Sequence, residues 1–260
     1  MGGARHGEHP EASGAMAGPL ISVESDRRIA AIGFCPHSGW AAVICLGGTV
    51  REPILIKRRR VLLTSEPLPR EPYHLAKRRE AEATEVVAAA ADEARTLATE
   101  AMADLAASVL GAGYQFVACG VITGRGRPDF TLRQALSTHA AMHNAEGWLF
   151  REAVIRAGQQ MGLRVAAATP DAAYAETADA AGIIVPEVEA RMKEFGTQLG
   201  PPWGKDQKLA SAAAWLALAR AWVNRSWTAP LDASGRRRYP LGAKGDADGR
   251  NDSDAQDADR

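Results

Sequence analysis

Cysteine is scarce in this chain, long apolar runs are missing, and charges of the two signs cancel. Each absence excludes something. The three cysteines, Cys35, Cys45 and Cys119, stand far apart inside apolar stretches. An odd, widely spaced set is no disulfide framework, and it suits a reducing compartment. No stretch of about 18 apolar residues occurs, so no membrane-spanning helix is expected. The opening residues Met1-Gly2-Gly3-Ala4-Arg5-His6 lead into no hydrophobic signal core, and the expectation is a cytoplasmic protein with no membrane partner. Lysine plus arginine equals aspartate plus glutamate at 31 each, so local patches must carry any attraction to polyanions. Also missing are the Lys-Ser/Thr pair of a P-loop, the His-Glu-x2-His order of zinc proteases, and any internal repeat.

What is present fits one substantial core. With 46% hydrophobic residues in 260, and ends rich in Gly, Asp, Glu and Ala, the chain reads as three parts. Residues 1–26 form a disordered N-terminal arm that includes His6 and His9, residues 27–228 a single domain, and residues 229–260 a disordered tail. Three short apolar runs open the domain: Ile29 to Phe34, Trp40 to Leu46, and Ile54 to Leu63. Short links rich in turn formers make them an antiparallel meander. Lys57-Arg58-Arg59-Arg60 on the third run is a solvated edge or, less simply, a phosphate track. Prolines 67, 69 and 72 end the sheet locally. An Ala- and Glu-rich helical stretch follows from Lys77 to Leu110, as one helix or two.

Tyr114 to Ile122 is apolar enough for a central fourth strand, and it runs into Thr123-Gly124-Arg125-Gly126-Arg127-Pro128, a loop able to hold phosphate through N–H groups and guanidinium forks. A helix from Phe130 to Met161 and a fifth strand from Leu163 to Ala168 complete a parallel crossover. Helices from Pro170 to Ala181, Pro186 to Leu199 and Lys205 to Val223 close the domain. The class is α/β: three antiparallel strands, then strand–helix–strand, in one mixed five-stranded sheet flanked by helices.

The chemistry concentrates on the helix after the fourth strand. At about 100° per residue, His139, His143 and Glu146 share the stripe that carries Leu132, Leu136, Phe150 and Val154. Two imidazoles and a carboxylate on a face meant for burial need partners, since an unpaired buried polar group costs about 1–3 kcal/mol. The spacing puts ligands on successive turns, as helical metal sites do. The plainer reading is that each histidine is satisfied within the core while Glu146 reaches water at the edge.

With the first turn reading Ile32-Gly33-Phe34-Cys35-Pro36-His37-Ser38-Gly39-Trp40, the order of elements over residues 28–224 resembles the ribonuclease H-like superfamily, and within it the RuvC-like resolvases. The phrases Pro72-Tyr73-His74, His143-x2-Glu146-Gly147 and Gly200-Pro201-Pro202-Trp203 with Asp206 and Lys208 resemble a bacterial family with a divergent active site. The superfamily resemblance implies an acid at the end of the first strand, another at the end of the fourth, and more on the last helix, holding two divalent metals for phosphodiester cleavage. Here Cys35 stands in the first place, Cys119-Gly120 near the second, and only Asp206 keeps an acid. The resemblance also implies that the first and fourth strands are neighbours, which brings His37 and Cys119 to one edge and lets His74, His139, His143, Glu146 and Asp206 join them.

Three functions remain open on this reading. The first is a metal-dependent nuclease, a hydrolase of nucleic acid using Mg, Mn or Zn. In it His139, His143, Glu146 and Asp206 serve as ligands or general acid and base, while His37, Ser38, His74, Arg125, Arg127, Trp203 and Lys208 contact substrate. The second is a catalytically inactive nucleic-acid-binding or scaffold protein on the same fold, with Arg58, Arg59, Arg125 and Arg127 on the phosphate backbone. The third is a thiol or zinc site of Cys35 and Cys119 with His37 or His74. Among the tryptophans, Trp215 and Trp222 belong to a core and Trp203, after two prolines, is the exposed candidate.

Overall fold

The computed structural model describes residues 28–124, 129 and 131–223. The arm and tail expected at 1–26 and 229–260, together with Arg125, Arg127 and Phe130, lie outside the described residues. Five strands form one sheet: β1 (Arg28–His37), β2 (Trp40–Gly48), β3 (Pro53–Leu62), β4 (Tyr114–Ile122) and β5 (Arg164–Ala168). Their spatial order is β3-β2-β1-β4-β5. The β1–β2 and β2–β3 pairs are antiparallel, while β4 lies parallel to β1 and β5 parallel to β4. This is the mixed five-stranded sheet expected from the order of elements.

The helices are α1 (Pro72–Arg78), α2 (Ala83–Gly111), α3 (Leu132–Ala135), α4 (His139–Gln160), α5 (Ala173–Ala181), α6 (Val185–Leu199) and α7 (Lys205–Val223). Because side chains alternate along a strand, β1 sends Ala31 and Cys35 to one face and Ile32 and Phe34 to the other. The first face is covered by α7 with α5 and α6, the second by α2 and α4. Both faces are buried, which is why β1, β2 and β4 read as near-continuous apolar runs.

Helix α7 lies directly on the sheet. A Cβ at Gly33 would collide with the backbone of Ala210, and one at Gly120 with that of Ala213. Glycine in the strands and alanine on the helix together permit this approach. It fixes where the first turn of α7 arrives: at the end of β1.

Two expectations about elements need correction. The predicted continuous helix from 130 to 161 is two pieces. The Thr138 hydroxyl accepts from the Ala141 N–H at 3.1 Å, and Ser137 donates to the Gln134 carbonyl at 2.7 Å. These small hydroxyl residues end one helix and cap the next. Leu132 and Leu136 therefore leave the His139 stripe and pack with Ala76, Ala83 and Val86. Arg58, expected on solvent or phosphate, donates instead to the carbonyls of Gly200 (2.9 Å), Pro202 (2.6 Å) and Pro201 (3.3 Å). It ties the edge strand to the loop that feeds α7. Trp215 is core, as expected, its indole N–H donating to the Val50 carbonyl at 2.6 Å. Among the described residues no helix is long and apolar enough to cross a membrane.

Candidate functional site

Since β1, β3 and β4 all run in one direction, their C-terminal ends share one rim of the sheet. The loop after β3 delivers α1 to that rim, and the crossover after β4 starts α4 there. Four histidines reach it from three separate stretches: His37, His74, His139 and His143. They form two groups, and each has one carboxylate.

The first group lies at the end of β1. His37 Nε2 stands 3.1 Å from Asp206 Oδ1 on the first turn of α7, and Cys35 Sγ lies 3.9 Å from the same imidazole nitrogen and 4.0 Å from the same carboxylate oxygen. The His37 ring stacks on Trp40 at 4.5 Å and 14°. Arg60 covers Trp40, its guanidinium carbon 4.0 Å from the ring centre. Burial, then the Asp206 charge, push the Cys35 thiol up to about 12, so it stays protonated at neutral pH. A protonated thiol, an imidazole and one carboxylate are not the oxygen-rich set magnesium takes, and the paired magnesium centre implied by the resemblance does not fit here.

The second group joins α1 to α4. Glu146 is fully buried, and its Oε1 accepts from His74 Nδ1 at 2.8 Å and from the His74 backbone N–H at 3.3 Å. His143 Nδ1 lies 3.3 Å from Oε2 but off the hydrogen-bond direction, so Oε2 has no hydrogen-bond partner among the described residues. The three rings of His74, His139 and His143 crowd together, their centres 4.3 to 5.0 Å apart. Contrary to the amphipathic reading, His139 and His143 are exposed and only Glu146 of the three is buried. The break before Thr138 is the cause, because α4 starts at His139 and its first turn overhangs the sheet.

Between the groups stands Arg151, which the sequence reading did not single out. Its guanidinium runs beside Gly147 and Gly124, where a Cβ would come within 2.8 and 3.3 Å of Nη1. Burial lowers its pKa from the ordinary value, and its Nε is buried without a hydrogen-bond partner among the described residues. It interacts electrostatically with the Cys35 thiol, as does Lys205. No spacing rule could have found Arg151. It lies five residues beyond Glu146 and becomes relevant only because β1 ends beneath it.

Other expected residues lie elsewhere. Ser38 is half-buried in the β1–β2 turn. Trp203 is half-buried rather than free, donating to the Met192 carbonyl at 2.9 Å, because Gly196 leaves room for its ring. With Lys208, Tyr174 and Glu189 it lines a separate groove of about 660 Å³. Cys119 does not meet Cys35. It pairs with Ile32, three positions before Cys35, and so faces the opposite side of the sheet, against Gly158. Complete burial pushes its thiol up as well. The Cys35–Cys119 site is therefore ruled out by strand alternation.

No protein-family model matches the chain, and no curated protein matches it. Two solved structures are similar to it: Thermus thermophilus RuvC in complex with a Holliday junction substrate, and Thermus thermophilus RuvC. Each is 15% identical, and the match covers 75% of this chain and 96% of the other. The TM-scores are 0.43 and 0.42, a likeness in the path of the chain alone.

Proposed function

We propose that this protein processes nucleic acid as a metal-dependent phosphodiester hydrolase whose site uses histidines, one glutamate and one aspartate in place of a carboxylate cage. One observation carries the reading: four imidazoles and two carboxylates gather on a single rim, where cationic side chains surround the end of β1. Arg60 lies over Trp40, Arg70 packs beside Gly39, and Arg151 and Lys205 act on Cys35. Acid–base groups beside cations are what hydrolysis of a polyanion needs.

In this reading His139, His143 and Glu146 belong to the metal-holding side. A divalent metal bound there supplies Lewis-acid polarisation of a phosphoryl oxygen or of water. Asp206 and His37 are the proton-handling pair, the carboxylate fixing the imidazole that takes or returns the proton. Arg151 and Lys205 offset charge on the phosphate. Ser38, Arg125 and Arg127 remain the proposed substrate contacts, whereas Trp203 and Lys208 line the separate groove and His74 stays with Glu146.

The test is metal analysis of the pure protein together with cleavage of branched, hybrid and single-stranded substrates with Mg, Mn or Zn. Cleavage that is lost in D206N and H143A supports the reading; absence of cleavage with all three metals removes it. The donor set around Cys35 favours a second reading, a binding protein without turnover. That version predicts affinity falling steeply between low and high salt with no cleavage, and salt-insensitive binding would exclude it.

A further inference from the structure

We propose that His74, His139 and His143 form a three-imidazole site for a zinc-type dication, with Glu146 as the carboxylate behind the ligands and one coordination position left open. This deepens the reading above, from which it takes only that the rim holds a metal. It changes the ligand set, because Asp206 belongs to His37 and not to these rings.

The first support is the orientation of the rings. Glu146 Oε1 accepts from the Nδ1–H of His74, which fixes the tautomer and leaves the Nε2 lone pair facing away from the carboxylate. His143 presents Nδ1 to the other carboxylate oxygen at 3.3 Å, so its Nε2 is likewise turned away. A carboxylate behind metal-binding imidazoles is the usual outer arrangement, and it makes the rings better donors.

The second is the fit of the ligand atoms. One ring nitrogen from each of the three histidines lies within 4.8 Å of the others. Tetrahedral zinc, with Zn–N bonds of about 2.0–2.1 Å, sets its nitrogens about 3.4 Å apart. The difference is within the reach of small side-chain adjustments at the exposed His139 and His143.

The third is the buried carboxylate itself. Glu146 has no exposed surface, and Oε2 has no hydrogen-bond partner among the described residues. A carboxylate oxygen held away from water without such a partner is offset by a dication on the far side of the same rings. Three neutral imidazoles favour zinc, cobalt, nickel or copper over magnesium, which takes oxygen ligands. Three protein ligands with a fourth position open to water define a catalytic rather than a closed structural zinc site.

The experiment uses the full chain, stripped of metal and dialysed against zinc, with cobalt as a visible-absorption probe. One zinc per chain is expected, with tetrahedral cobalt bands. The exposed-ligand variant H143A should bind at least 10-fold more weakly, and E146Q about 10–100-fold more weakly. D206N and H37A should bind like the parent. Thermal melts with and without zinc report folding of each variant, and H143A, altered at an exposed side chain, stands in if H74A fails to fold. Binding of no zinc, or zinc lost in D206N and kept in H143A, overturns the proposal. Zinc bound as expected without nucleic-acid cleavage keeps this site and removes the hydrolase reading; cleavage with no zinc on these histidines does the reverse.

Discussion

Glu146 and Asp206 are the two carboxylates that meet histidines at the rim, and their surroundings are opposite. Glu146 has no exposed surface while the His143 beside it is 47% exposed; Asp206 is 32% exposed and lies against a buried thiol. A buried carboxylate held by a ring N–H and a backbone N–H is fixed in place. A partly solvated carboxylate beside one imidazole is reached by water. The difference teaches that burial, more than residue type, sets the surroundings of acids on one rim.

The comparison breaks most visibly at Glu146. Removing it as E146A strips the acceptor from His74 Nδ1–H and from its backbone N–H, and the expected loss is about 3 kcal/mol in urea unfolding. The matching D206A change should cost under about 1 kcal/mol, because its ion pair is solvent-screened. Equal losses would show that the two acids are not differently used.

A second change separates the groups through the scaffold. R58A removes the guanidinium from three carbonyls of the loop before α7, at an expected cost of about 2 kcal/mol. The Asp206 group should loosen with it while zinc binding on α4 holds; a drop in zinc affinity would mean the groups are mechanically one.

The thiol marks the β1 group, and pH sharpens the contrast. Cys35 and Cys45 are both pushed up to about 12, mainly by burial, so the folded chain keeps protons that the unfolded chain releases above about pH 9. Their contribution to stability is full below pH 9 and is lost as pH rises toward 12. With Cys119 also pushed up by burial, unfolding at pH 7 and 9.5 should differ by about 2–3 kcal/mol from the three thiols, and native thiols should react with alkylating reagents only after denaturation. Rapid labelling of native Cys35 at pH 8 would contradict the buried, protonated thiol.

The smallest effect tests the link between the groups. G147A should raise helix stability by up to about 1 kcal/mol, since glycine is poor in a helix interior. Its Cβ would come within 2.8 Å of Arg151 Nη1 and turn that guanidinium out of its place. A stable variant with several-fold weaker nucleic-acid binding, measured by anisotropy, is the expected result; unchanged binding would remove Arg151 from the site.

Much of the fold was legible because local pattern and global burial agree. Tyr114–Ile122 and Lys205–Val223 begin and end where apolar runs and turn formers put them, and the antiparallel meander follows from links too short for a crossover. The site was only partly legible. His139, His143 and Glu146 could be grouped by helical spacing, yet spacing assigned them to one buried stripe. Ser137 and Thr138 interrupted it by competing for backbone hydrogen bonds. His74, expected among the substrate contacts, is the residue Glu146 binds most closely.

The order of residues alone determined the strands, most of the helices, the central place of β4, and which side chains were short of partners, because these depend on periodicity and composition within a few turns. Which partners they received was decided in three dimensions. Gly33 and Gly120 let α7 settle onto the sheet and set Asp206 against His37, and α1 carried His74 onto Glu146 across 72 residues of chain. Neither pairing has a signature in sequence, since contact between distant segments follows from how closely whole elements pack.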